Sequence, residues 1–323
     1  MQRLLLLLTS LLLAGCASTP DEQIVPFKAE QKQALLARAR PPQAFGLTVY
    51  NTERGPLFAG ANRLHSGQVA DMPFTYRPDA RAPVITIASR SAKAIPTLLD
   101  TASRENWITP RTALPLDIVM LAGPRPFETT AGHVYDEIGG YAGLLHRLQL
   151  DKLNADNVVF YVRAASGPMG PPARWLQDPE PQLILGMPFL RAFSFVSFDF
   201  PRQSVQFSAT TGLPEMDDSM VVAVLPLMDV RGAPGIAGAI NGEPATIVLD
   251  TGGDFDLVMN DPPGHTVRRL ALGDLVFPPE VNVKPAREAG LGEIEYPRIG
   301  RGLLSRYRVT FDFRNKLVIF ERP

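Results

Sequence analysis

The sequence predicts a mainly β protein built from two related lobes, and three observations carry that prediction. First, 31 of the 323 residues are proline, about twice the usual share of ~5%. A ring that fixes φ and removes an N–H argues against long helices at this density. Second, from Phe45 onward short runs of Val, Ile, Phe and Leu alternate with Gly, Pro, Asn and Asp, the punctuation of strands and turns. Third, six sequence elements recur in the same order along the chain, and such self-similarity marks a duplicated structural unit. The length agrees with about two domains.

Composition narrows the function classes. With 45% hydrophobic and 20% charged residues, the chain has ample apolar material for a core and is not a disordered polymer. Lys and Arg number 32 against 33 Asp and Glu, a net charge of −1, so the basic footprint of a nucleic-acid-binding protein is missing. The single cysteine, Cys16, excludes an internal disulfide, a CxxC redox pair and a cysteine-built metal site. The four histidines, His65, His133, His146 and His265, are scattered without metal-ligand spacing, so a zinc site is not expected.

Taken in order, residues 1–15 read as a signal peptide. Arg3 is the only charge before Cys16, and the apolar run 4–13 is too short to span a bilayer but fits a secretory core. The small-residue end, Leu13-Ala14-Gly15-Cys16, resembles a bacterial lipoprotein signal; the alternative is an ordinary signal peptide with a chance cysteine. The resemblance implies that Cys16 becomes the lipidated N-terminus. Ala17 rather than Asp after it is similar to lipoproteins of the outer membrane. A body facing the periplasm of the bacterial envelope is then expected, held to the membrane by lipid.

Residues 16–68 read as a tether and extension, with a short helix over 31–38. The first lobe is expected over 69–212 and the second over 213–323. Strands are expected over 83–88, 157–162, 193–200, 220–227, 245–249 and 307–313. The repeats align on Asp100 and Asp250, each preceded by an apolar run (Leu98-Leu99, Val248-Leu249) and followed by Thr101 or Thr251. Upstream, Met72-Pro73-Phe74 matches Leu225-Pro226-Leu227. Downstream, residues 148–153 match 270–275, Ile184-Leu185-Gly186 matches Arg298-Ile299-Gly300, 196–200 match 309–313, and the apolar alternations that follow end at Phe207 and Phe320.

These repeated motifs resemble the pepsin–retropepsin class of aspartic proteases over most of the chain after about residue 70. Val248-Leu249-Asp250-Thr251-Gly252 carries the family motif in full, and Trp107, seven residues after Asp100, is similar to the tryptophan that supports the flap in pepsins. The resemblance implies a bilobal acid-protease fold with two β-barrel-like lobes. It implies a catalytic pair, Asp100 and Asp250, supported by Thr101, Thr251 and Gly252, with no cofactor. It implies a peptide or protein substrate and, with two lobes in one chain, a monomer. Two carboxyls about 3 Å apart cannot both ionise, so one serves as acid and the other as base.

The copies differ in length. Asp100 to Leu150 spans 50 residues and Asp250 to Leu272 only 22, and in the family the longer stretch holds the substrate-covering flap. Paired glycines suit a hairpin turn, so the tip is expected near Gly139, Gly140 and Tyr141, with Tyr135 or Tyr141 as the flap tyrosine. The first copy also departs from the motif. Ala102 replaces the glycine, where a Cβ is expected to restrict the backbone and crowd a substrate strand. Arg104 and Asp254 stand where pepsins carry small hydroxyl residues, and Arg104 is expected to lower the pKa of the pair. The alternative function is therefore a catalytically inactive envelope lipoprotein that binds peptides or a partner in the same cleft. Asp199 and Asp312 are read as exposed strand residues or turn acceptors.

Overall fold

The computed structural model describes residues 29–52, 55–65, 69–76, 79–91, 94–123, 125, 127–129, 140–163, 181, 183–209, 212–213 and 217–323. The signal segment and Cys16 lie outside them, as do Tyr135 and Gly139. Strands dominate. The α-helices among the described residues are short: Ala29–Leu36, Pro110–Ala113, Met187–Leu190 and Arg301–Leu304.

In the first lobe six strands pair in a ring. Val84–Ser89 is followed around the circuit by Ile95–Leu99, Leu183–Leu185, Trp107–Ile108, Leu153–Arg163 and Gly140–Leu150. The last strand pairs back onto the first at Leu148↔Ser89 and Gln149↔Ala88, closing a barrel. Period-two alternation sorts the side chains. Leu99, Ile108, Phe160 and Leu185 enter the main core, while their neighbours Leu98, Trp107, Tyr161 and Ile184 form a second cluster.

The second lobe repeats the frame without closing it. Ala233–Ile240, Glu243–Leu249, Arg298–Ile299, Leu257–Met259 and Val281–Pro285 pair in succession, and the sheet ends in free edges. The reason lies in the hairpin. In the first lobe the strand after the turn, Leu153–Arg163, runs unbroken. Its counterpart is split into Leu275–Val276 and Val281–Pro285 by Phe277-Pro278-Pro279-Glu280, whose prolines donate no ladder bonds. Both turns begin with a left-handed residue, Asp151 at φ 49° and Gly273 at φ 56°.

A six-stranded sheet joins the lobes, three strands from each: Val221–Pro226, Leu317–Glu321 and Arg308–Asp312, then Phe195–Asp199, Ser204–Ser208 and Val69–Pro73. The repeats 196–200 and 309–313 pair antiparallel with each other, Ser197 facing Thr310 and Phe198 facing Val309. Their centre is marked by the 2.7 Å hydrogen bond between the Ser197 and Thr310 hydroxyls. Asp199 and Asp312 are buried, and each accepts a turn N–H, from Arg202 at 3.0 Å and Asn315 at 2.9 Å. They are turn acceptors, not exposed strand residues.

The extension before residue 69 is more than a tether. The Ala29–Leu36 helix places Leu35 in the main core. Leu47 and Phe58, from the hairpin Thr48–Thr52 and Gly55–Ala59 and the residue before it, cover the Leu98–Trp107 cluster. Arg63–Leu64 adds an edge strand against Ala155 and Asp156. Of the residues expected near the flap tip, Gly140 and Tyr141 are described. Gly140 and Tyr141 open a strand, and both edges of that strand are taken: Gly140 faces Thr129 on one side and Arg163 on the other. A residue paired on both sides is not a turn. The connecting residues 130–139 lie outside the described residues.

Candidate active site

Each aspartate sits just beyond the end of a strand and is seated by the apolar-apolar-Gly segment of its own lobe. The Asp100 N–H donates to Leu185 O at 3.1 Å, and the Asp250 N–H to Ile299 O at 2.8 Å. The glycine that follows lets the loop beyond each aspartate pass close to the segment. A Cβ on Gly186 would lie 2.4 Å from Glu105 O, and one on Gly300 would lie 2.5 Å from Phe255 O.

The threonines then lock the two loops together. Thr101 Oγ1 donates to Leu249 O at 2.6 Å and accepts the Thr251 N–H at 3.1 Å. Thr251 Oγ1 donates to Leu99 O at 2.9 Å and accepts the Thr101 N–H at 3.1 Å. Both threonines are fully buried. These reciprocal bonds satisfy two carbonyls and two N–H groups that the loops would otherwise strand inside the protein.

The carboxyls meet at this junction. Asp100 Oδ1 accepts the N–H groups of Ala102 at 2.8 Å and Ser103 at 3.1 Å. Asp250 Oδ1 accepts that of Gly253 at 2.8 Å. Gly252 lies against the opposite loop's acid, since a Cβ there would be 2.7 Å from Asp100 Cγ. Asp250 is 3% exposed, while an edge of Asp100 reaches solvent. Burial among protein groups and the charge of Asp250 raise Asp100 to a pKa of about 7. Burial also raises Asp250, opposed chiefly by Arg298. Two carboxyls whose charges act on one another take up protons as a pair rather than one by one.

Arg298 is the site residue that sequence reasoning passed over. Its Nη1 lies 3.4 Å from Asp250 Oδ2, and its side chain is 9% exposed. The signal was present in the repeat, where Arg298 stands in the place of Ile184: a charge at an apolar position. Arg104, expected to be the cation acting on the pair, is solvent-exposed, and the arginine lowering both aspartates is Arg298.

The other departures from the motif are absorbed locally. Ala102 does not have a positive φ, so its Cβ brings no left-handed strain. Its methyl is buried with Val230, Ala233 and Val248 of the second lobe. Asp254 faces Arg301 at 3.4 Å and Arg81 at 3.8 Å. Arg301 is fully buried and binds Asp79 of the first lobe at 2.8 Å, so Asp254 belongs to an ionic cluster between the lobes.

Trp107 is 6% exposed, its ring 5.9 Å from that of Tyr161, and it anchors the cluster behind the Asp100 loop. Tyr141 is half-buried at the base of the Glu128–Thr129 pairing. His65 pairs with Asp156 at 2.7 Å, while His146 and His265 are exposed. Among the described residues no group of three or more His, Cys, Asp or Glu is placed to hold a metal ion, and no helix is long and apolar enough to cross a membrane. No protein-family model matches the chain, and no curated protein matches it.

Proposed function

We propose that this chain is an aspartic endopeptidase of the pepsin–retropepsin type, hydrolysing peptide bonds with water activated between Asp100 and Asp250. One observation carries the reading: two carboxyls, one from each lobe, sit on loops cross-locked by four reciprocal threonine hydrogen bonds. In each acid Oδ1 is held by backbone N–H, and Oδ2 is the oxygen that faces reacting atoms, with Arg298 3.4 Å from that of Asp250. One carboxylate takes a proton from water as the water oxygen attacks the carbonyl carbon. The other, protonated, gives its proton to the carbonyl oxygen. On collapse, the proton held by the base passes to the departing nitrogen, a gem-diol hydroxyl returns its proton to the acid, and the C–N bond breaks. Both functions reside in side-chain carboxyls, so the chemistry calls for no metal or organic cofactor.

The substrate is an extended peptide or protein segment lying between the lobes, and the two fused lobes act as a monomer. Lipid at Cys16 holds the protein to the bacterial envelope, facing the periplasm. In the purified protein, cleavage of a peptide library is expected, with Asp100→Asn and Asp250→Asn each losing about 10²- to 10⁴-fold. Full activity in either variant overturns the mechanism.

A second reading comes from the motif break at Ala102 alone, that of an inactive relative that binds peptides or a partner protein. Its counterpart Gly252 lies against the opposite carboxyl, and a methyl at the equivalent place is a feature of one loop only. Peptide binding without turnover from about pH 3 to pH 8, unchanged by both Asp→Asn substitutions, would select this reading over catalysis.

A further inference from the structure

The dyad is built on a two-fold frame, yet its surroundings are not symmetric. In the first lobe Ile184 pairs with Leu98 and Leu185 with Leu99, parallel, just before Asp100. In the second, Arg298 pairs with Val248 and Ile299 with Leu249, just before Asp250. Ile184 and Arg298 thus hold matching places beneath the two acids. Ile184 lies in an apolar cluster with Leu98, Trp107 and Tyr161. Arg298 puts a guanidinium 3.4 Å from Asp250 Oδ2, both side chains nearly closed to solvent.

We infer that Arg298 fixes the direction of proton sharing, holding Asp250 as the anionic partner and base while Asp100 carries the proton and acts as the acid. The role assignment rests on the dyad reading above; the charge assignment rests on the contact alone. A guanidinium stays charged throughout the accessible pH range, and a contact sheltered from solvent is screened far less than a surface pair. The groups facing the two acids agree. Asp250 meets Asp100, Arg298, the Gly253 N–H and, more weakly, Arg301. Arg301 is itself engaged by Asp79 at 2.8 Å and Asp254 at 3.4 Å, with Arg81 beside them. Asp100 meets Asp250, Arg298 and the N–H groups of Ala102 and Ser103. The cation in contact with the pair is therefore on the Asp250 side. The upward shift of Asp100 to about 7 is the counterpart of this arrangement. Arg298 touches no substrate atom in this scheme and is a positioning residue.

The test is a carboxyl-carbon NMR titration of the purified protein labelled with ¹³C-aspartate, the two signals assigned by their loss in Asp100→Asn and Asp250→Asn. In the wild type Asp250 is expected to titrate below Asp100. Arg298→Ile, which copies the first lobe, should raise Asp250 by about one pH unit or more and abolish the order. Arg298→Lys should keep it, and Arg298→Gln serves as the neutral variant if Ile prevents folding. An Asp250 that titrates above Asp100 in the wild type, or midpoints that do not move in the neutral variant, overturns the inference. Where the protein cleaves peptide, the acid limb of the rate profile needs ionised Asp250 and should move to higher pH in Arg298→Ile and stay in Arg298→Lys. A protein that cleaves nothing overturns the protease reading, and the titration order still decides the charge assignment.

Discussion

Asp100 sits on a closed barrel and Asp250 on an open, curled sheet, yet backbone hydrogen bonds and glycines place both in the same way. Each N–H reaches the carbonyl of an apolar-apolar-Gly segment, and each threonine crosses to the other loop. What differs is the set of side chains that this frame leaves free. Ala102 faces Gly252 in the alignment, Ile184 faces Arg298, and Met187 faces Arg301. The second lobe has turned two apolar positions into buried guanidiniums, one on its aspartate and one on the first lobe. Constraint therefore resides in groups that satisfy backbone atoms, and divergence in groups that tune charge around them.

The threonine lock is the most symmetric part, and removing it carries the largest expected effect. Thr101→Val strands Leu249 O and the Thr251 N–H, and Thr251→Val strands Leu99 O and the Thr101 N–H. At about 1–3 kcal/mol for each orphaned buried group, either variant should lose ~2–6 kcal/mol in denaturant unfolding. The two losses should agree within about 1 kcal/mol. A much larger loss in one lobe would break the symmetry claimed for the frame.

The ionic cluster sharpens the contrast between Met187 and Arg301. Asp79→Ala takes the nearer carboxylate from a fully buried guanidinium and should cost about 3–5 kcal/mol. Arg301→Met installs the first lobe's residue at the matching place, removes the buried charge and should cost less. Equal losses would mean that Arg301 stabilises through packing rather than through its pair. Next in size is the loop glycine. Gly252→Ala puts a Cβ 2.7 Å from Asp100 Cγ, and the acid must move. Displacement of this order costs about 10²-fold in kcat/KM. Ala102→Gly, which restores the motif in the first loop, should change the rate by less than about threefold, because the methyl is accommodated among Val230, Ala233 and Val248.

Much of this frame was legible in the chain. The six repeated elements are the strands and turns that build the matching halves, because period-two alternation and punctuating Gly, Pro and Asp are local signals. The apolar-apolar-Gly segments were legible for the same reason: glycine is needed where a backbone comes within 2.4 Å of the Cβ position. Three things were not legible. The packing of Leu47 and Phe58 onto the Trp107 cluster depends on contacts distant in sequence. The open second sheet depends on two prolines whose effect shows only against the intact strand of the first lobe. Arg298 was named as part of a packing segment, but contact with Asp250 comes from the parallel register of Arg298–Ile299 beside Glu243–Leu249, which spacing alone does not reveal.

The last contrast separates the two carboxyls themselves. Asp100 holds its proton up to about pH 7, against an ordinary value near ~3.9. If its protonated form is the acid, kcat/KM falls above about pH 7, by roughly tenfold for each further pH unit. Stability carries the same sign. The folded value is raised above the unfolded one, so this contribution is complete below about pH 4 and is lost as pH rises through 7. Thermal unfolding followed over that window should show the wild type losing stability relative to Asp100→Asn, whose side chain has no proton to lose. A difference between the two that does not grow between about pH 4 and pH 7 would mean that the proton resides elsewhere, and the contrast between an acid loop and a base loop would fall with it.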